Sequence, residues 1–308
     1  WGITEMAGGS TSLFTVSGTV SNLNPGTQAQ IFIQGSSVVT TGTYTVSNVG
    51  QGYRDIFAME FDSISDIPLR YMIDRDVLVD QDLTGKDFDF TGASGFLSQK
   101  QVTVSGGAGA VNLYTKNETT VYLGDSTYGG WFPLDSTDTV AGDRYQFQAV
   151  DNSQNPAVAY IEVTDATATP KNYSVDLSQI NHLNTVSFSD AVHPTISGLT
   201  YTPAFGQPLL AYHVEWDQSS SGVTWGLTIS DAWMSHFSAN SYAVPDFTGI
   251  SGWNTGWDLT AGSVVGWEAW AVSGTVPSLN DIMNSTIDFS TYPGVQIYIA
   301  IENGTFTP

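Results

Sequence analysis

Residues 212–230 read YHVEWDQSSSGVTWGLTIS. Tyr212, Val214 and Trp216 alternate with His213, Glu215 and Asp217, a Ser/Gly run intervenes, and Trp225, Leu227 and Ile229 then resume the alternation. Successive side chains of a strand point to opposite faces, so this pattern predicts two strands joined by a turn. The same period returns at Phe14–Val16, Ile31–Ile33, Val102–Val104, Tyr145–Phe147–Ala149, Ile161–Val163 and Val295–Ile297–Ile299–Ile301. Helical periodicity is nearly absent. SISDIPLRYMIDRD (63–76) and PSLNDIMNS (277–285) are each expected to hold one short helical turn. Strands this frequent, separated by Gly, Asn, Pro, Ser and Asp, predict an all-β chain of tandem β-sandwiches, Ig-like or transthyretin-like.

A chain of 308 residues is long enough for two or three full cores. Thirty acids face eight bases, a net charge of −22. Phosphate backbones and anionic membranes are bound through clustered Lys and Arg, so nucleic acid is excluded as a partner and cations are invited. No apolar run reaches the roughly 18 residues of a membrane span, so no membrane insertion is expected. The absence of cysteine removes thiol catalysis, thiolate metal sites and disulfides. The first residue, Trp1, and a composition rich in Thr, Ser, Gly, Tyr and Trp fit an exported protein, extracellular or at the cell surface, that has lost a leader. Sequons at Asn117, Asn172, Asn284 and Asn303 permit glycosylation without arguing for it.

Composition shifts divide the chain into an N-terminal extension (1–15) and units at 16–91, 92–194 and 195–308. The first unit contains VSGTV (16–20), QIFI (30–33), GTYTVSNVGQG (42–52) and DFDF (87–90). It resembles the carboxypeptidase regulatory-like, transthyretin-like β-sandwich. Gly42 and Tyr44 match that family's G-x-Y strand, and Val49 and Gly52 match its turn. The resemblance implies a sandwich and a non-catalytic accessory role. The middle unit opens on TGASGF (91–96) and carries GGAGA (106–110). The third holds seven of the nine tryptophans, and SYAVPDFTGISGW (241–253) with LTAGSVVGWEAWAV (259–272) resembles the latter half of a fibronectin type III-like sandwich.

The stretch DRDVLVDQDLTGKDFDF (74–90) holds six aspartates in seventeen residues. Read as the last two strands of the first unit, joined near QDLTG, it turns Val77, Val79, Phe88 and Phe90 inward and Asp74, Asp76, Asp80, Asp87 and Asp89 outward. A solvated polar face explains that pattern. The spacing Asp80-x-Asp82-x-Thr84-Gly85, with Asp87 beyond, also matches the start of a calcium loop, in which spaced oxygens wrap a hard cation, so Ca2+ is a candidate ligand. No nucleophile elbow, phosphate loop or His-x-x-x-His pair accompanies these residues, and no enzyme activity is expected.

Two binding modes remain. Trp233, Trp253 and Trp257 fall in expected loops, the latter two beside Gly252 and Gly256, where exposed indoles would take glycans. The opening segment, with Trp1, Ile3, Leu13 and Phe14, and the charge-poor last strand GVQIYIAIENGTFTP (294–308) suit a chain that adds a strand to a neighbouring copy and builds a filament.

Overall fold

The computed structural model describes residues 12–153, 157–183, 186–237, 240–276 and 293–308. Its architecture is all-β and sandwich-built. The first unit comprises β1 (Leu13–Ser21), β2 (Thr27–Ile33), β3 (Ser36–Thr40), β4 (Thr43–Gly50), β5 (Gly52–Asp62), β6 (Pro68–Val79), β7 (Phe88–Asp89) and β8 (Ser94–Gly95). They form one sheet ordered β4-β1-β7 and another ordered β3-β2-β5-β6-β8. Val16, Val20, Tyr44, Val46 and Phe88 from the first meet Ile31, Ile33, Ile56, Val77 and Val79 from the second in a closed core.

The aspartate stretch is a crossover between these two sheets rather than a hairpin. β6 belongs to the five-stranded sheet, while β7 pairs parallel to β1, Val20 opposite Phe88. Val77, Val79, Phe88 and Phe90 are buried as the alternation requires. The segment between them runs alongside β1, with Ser17 N–H donating to Leu83 O (2.9 Å) and Lys86 N–H to Ser17 O (3.1 Å). Gly18 permits the approach, since a Cβ there would fall 2.1 Å from Lys86 O. The stretch 63–76 likewise departs from its expected helical turn, passing from a short turn straight into β6. Residues 277–285 lie outside the described residues.

Leu13 and Phe14, expected in a free extension, open β1 instead and pair with Gly50 and Val49. Phe14 is partly buried against the core of its own sandwich, while Leu13 is exposed. Trp1 and Ile3 lie outside the described residues.

The next strands are β9 (Lys100–Ser105), β10 (Ala108–Tyr114), β11 (Thr120–Asp125), β12 (Gly130–Trp131), β13 (Arg144–Asp151), β14 (Ala157–Asp165) and β15 (Tyr173–Asp176). Then come β16 (Ser187–Phe188), β17 (Thr195–Ser197), β18 (Leu209–Gln218), β19 (Val223–Ser230), β20 (Ser241–Ala243), β21 (Val265–Thr275) and β22 (Gln296–Phe306). One eleven-stranded sheet, ordered β15-β9-β12-β11-β10-β13-β14-β22-β21-β18-β19, runs through residues on both sides of position 194. β22 makes the join, pairing with β14 along one flank and β21 along the other. This explains why its first half, Gln296–Ile301, carries no charge: Ile297 and Ile299 sit in the middle of a sheet, not at an edge.

The first unit is fastened to this sheet. Phe32, Phe57, Met59 and Tyr71 share a core with Val111, Leu113, Tyr145 and Phe147. Beside it, Arg75 reaches Asp55 Oδ2 (2.8 Å) in its own unit and Asp143 Oδ2 (2.8 Å) in the next, both carboxylates fully buried. At the other end, the small sheet β16-β17-β20 and a short helix, α1 (Asp231–Phe237), complete a sandwich over β18, β19 and β21. Ser230 starts α1, its Oγ accepting from Trp233 N–H (3.2 Å).

Candidate functional site: an aromatic cleft at the sheet edge

Register places one tryptophan after another across the C-terminal sheet. Trp225 of β19 stands opposite Trp216 of β18, Trp216 opposite Trp267 of β21, and Trp267 opposite Gly304 of β22. All three indoles occupy the same face, because direct cross-strand partners project together. Trp216 is buried, and Phe188 lies against both it and Trp267. β19 is the terminal strand of the sheet, so Trp225 brings the row to its edge. Trp216 and Trp225 are nearly parallel, with centroids 6.0 Å apart.

The loop between β20 and β21 extends the row outward. Phe247 stacks on Trp225 at 6.4 Å, Trp253 lies 5.6 Å from Trp225, and Trp257 meets Trp253 edge-on at 5.2 Å. Local chemistry dictates this loop. Gly249 and Gly252, both at φ of +91°, make its turns, and Asn254 Oδ1 accepts Gly256 N–H (2.9 Å) to start the single helical turn Thr255–Trp257. Buried Gln218, at the end of β18, accepts Thr260 N–H (2.7 Å) and donates to Thr260 O (2.9 Å) and Ser263 O (3.2 Å). It thereby holds the β18–β19 turn and the aromatic loop at a fixed spacing. His193 Nε2 lies 3.5 Å from Asp258 Oδ1 and 3.7 Å from Asp246 Oδ1, at the two ends of the loop.

Between these walls is a cleft of about 310 Å3, bounded by residues 221–225 on one side and by Trp253, Gly256 and Trp257 on the other. Trp225 donates its Nε1–H to Trp257 O (3.0 Å), and Trp253 donates its own to Asp258 Oδ1 (3.1 Å). With both N–H groups bound internally, the rings are locked in place and offer faces and edges to a ligand. Trp257 is 42% exposed.

Of the three tryptophans expected to bind, Trp253 and Trp257 come together here. Trp233 does not join them: it sits on α1, against Phe237 and Tyr242. Trp225 takes the third place, although its strand position alone pointed to the core. The signal was its register opposite Trp216 in a hairpin whose second strand ends the sheet.

The aspartates at 80–87 do not converge. Asp82 Oδ1 accepts Thr15 N–H (2.8 Å), and Asp87 Oδ1 accepts Thr19 N–H (2.7 Å) and its hydroxyl (2.8 Å), while Asp80 and Thr84 are exposed. Asp74 pairs with Lys86, Asp76 with Lys116, and Asp89 accepts from Asn22. Asp74, Asp76, Asp82, Asp87 and Asp89 thus each have a hydrogen-bond or ion-pair partner of their own. Among the described residues no three His, Asp or Glu side chains gather where they could hold a metal ion.

Two other features carry less chemistry. Buried His213 has Nδ1 2.8 Å from Thr228 Oγ1 and Nε2 3.0 Å from Glu215 Oε1, so both ring nitrogens are satisfied within the sheet. A wider hollow of about 720 Å3 lies between residues 178–182 and Thr200–Thr202. Its walls are loops, and Asn181 bonds Thr202 O across it (2.8 Å). The smaller cleft has the fixed aromatic walls that recognition needs.

No protein-family model and no curated protein matches the chain. The carboxypeptidase regulatory-like resemblance of the first unit therefore stands on its motif residues alone. Among solved structures, the chain is similar to the crystal structure of chicken CNTN1 FN1-FN3 domains at 8% identity. That match covers 80% of this chain and 83% of the other, with a TM-score of 0.19. Among the described residues no helix is long and apolar enough to cross a membrane.

Proposed function

We propose that this chain is an exported, non-catalytic adhesion protein that takes a glycan ring in the cleft formed by Trp225, Trp253 and Trp257. The observation that carries this reading is the pair of tethered indole N–H groups, which leaves preorganised aromatic surface at the rim of a cleft. A pyranose presents one face of axial C–H bonds, which packs on such a surface, while its hydroxyls reach outward to polar groups. Ser221 and Thr224 stand on the facing wall. Rings held in advance lose little entropy on binding. Isothermal titration against a glycan panel tests the reading. Binding by the native chain that disappears in Trp257→Ala supports it, and equal binding by both overturns it.

A second reading, assembly into a filament by strand addition, is favoured by β19. VTWGLTIS carries no charge or proline and ends the eleven-stranded sheet. Among the described residues its backbone bonds only to β18. Such an edge accepts another chain's strand. Electron microscopy of the native protein decides this: regular fibres support assembly, and dispersed particles across a concentration series remove it.

A further inference from the structure

His193 stands where the aromatic loop leaves the sandwich and returns to it. Its backbone is fixed: Thr195 pairs with Ala243 at the end of β20, and Val244 N–H donates to Pro194 O (3.0 Å). The ring brings Nε2 to 3.5 Å from Asp258 Oδ1 and 3.7 Å from Asp246 Oδ1. That nitrogen is shut off from solvent and has no hydrogen-bond partner, a costly state for a buried polar atom. A neutral imidazole offers Nε2 as a single N–H at most. The imidazolium offers the same N–H and a full positive charge to both carboxylates.

Of the two carboxylates, Asp258 is the better placed. It is 19% exposed and His193 21%, against 64% for Asp246, so solvent screens the Asp258 pair less. Asp258 Oδ1 also accepts the Trp253 Nε1–H (3.1 Å), so a pull on this carboxylate is a pull on a wall of the cleft. The Thr248 hydroxyl and then its N–H hold the Asp246 carboxyl below its ordinary value, which keeps it an anion wherever histidines titrate. The other charged residue close by in the His193 loop, Asp190, is also acidic, and residues 172–308 include no Lys or Arg.

We infer that His193 is a positioning residue of the cleft: once protonated, it draws in Asp258 and Asp246, fixes Trp253 through Asp258, and tightens ligand binding below neutral pH. The inference rests on the glycan reading above for its ligand and adds a pH dependence to that site. The gain is present where imidazole is charged and disappears as pH rises through the imidazole range, about 5 to 8.

Nine tryptophans and four histidines, among them His213 at 5.3 Å from Trp270, make total fluorescence ambiguous, so the test reads one indole. The Trp253 Nε1–H resonance, assigned with Trp253→Phe, is followed by NMR in the full chain from about pH 5 to 8. It should shift across that range in the native protein and stay flat in His193→Gln. In Asp258→Asn, which keeps an oxygen for the Trp253 N–H but no charge, the shift should be much reduced. A resonance that is flat in the native protein, or that moves equally in His193→Gln, overturns the inference whatever the cleft binds. Calorimetry with a glycan bound by the native chain should then give about two- to fivefold tighter binding at about pH 5.5 than at about pH 8, and a ratio near one in His193→Gln. Equal affinity at the two pH values overturns the effect on binding. Absence of binding by any glycan overturns the glycan reading alone, and the Trp253 resonance still decides whether His193 acts on the loop.

Discussion

Trp267 lies against Gly304 on the neighbouring strand so closely that a Cβ at 304 would fall 2.6 Å from ring atom Cζ2. Gly304 is thus the blank end of the tryptophan row: three indoles need width, and the fourth position supplies it. Gly304→Ala should displace Trp267 and, through Phe188, disturb Trp216. Overpacking of this kind destabilises by about 1–3 kcal/mol. A urea midpoint unchanged from the native protein would show that the row tolerates displacement.

The cleft predicts a separation between two tryptophans. Trp257 is half-exposed and adds little to the core, so Trp257→Ala should leave the melting temperature nearly unchanged and weaken glycan binding about tenfold or more, ~1.4 kcal/mol. Trp225 stacks on Trp216 and Phe247 and holds the Trp257 carbonyl, so Trp225→Ala should lower both stability and binding. Thermal denaturation and calorimetry on the two variants give the comparison. Equal losses of stability would mean that Trp257 is a core residue.

The sequence showed strands more clearly than neighbours. Period two placed β18, β19 and β22 and the inward set Val77, Val79, Phe88 and Phe90, because burial of one strand face is written locally. It did not say that β22 lies between β14 and β21, since both edge and central strands can read as apolar runs, and only the partner distinguishes them. The aspartates show the same limit: their spacing resembled a cation loop, and it could not show that Asp82, Asp87 and Asp89 accept hydrogen bonds from the distant Thr15, Thr19 and Asn22. At the cleft, Trp253 and Trp257 were marked by nearby glycines. Trp225 depended on a register fixed across the hairpin, and His193 on a chain reversal that brings it to both ends of a loop more than fifty residues away.

Arg75 predicts how the first unit is held. It bridges two fully buried carboxylates, Asp55 and Asp143, which come from different units, and Asp143 also accepts Lys116 N–H (3.0 Å) and Val140 N–H (3.1 Å). Removing the guanidinium leaves two buried anions facing each other, a change that typically destabilises by about 3–5 kcal/mol. Arg75→Met should therefore split urea unfolding into two transitions, with the first unit separating from the large sheet before that sheet melts. A single transition at the native midpoint would show that the shared core of Phe57, Tyr71 and Phe147 suffices alone.

Acid should act on the same unit through a different pair. The Asn22 amide and then the Thr91 N–H hold the Asp89 carboxyl down to about 2, and Arg70 holds Glu60 below its ordinary value against the opposing effect of burial. A carboxylate whose folded value is lowered binds fewer protons folded than unfolded. Its contribution is complete above the unfolded value of about 4 and disappears as pH falls through the folded one. Stability should therefore decline between about pH 4 and pH 2, not near neutrality. Asn22→Ala isolates one contributor, because it removes the main bond to Asp89 while leaving the net charge alone. The gap in urea midpoint between native protein and variant should be widest at pH 5 and close toward pH 2. A gap constant over that range would assign Asn22 a role in packing that is independent of the Asp89 charge.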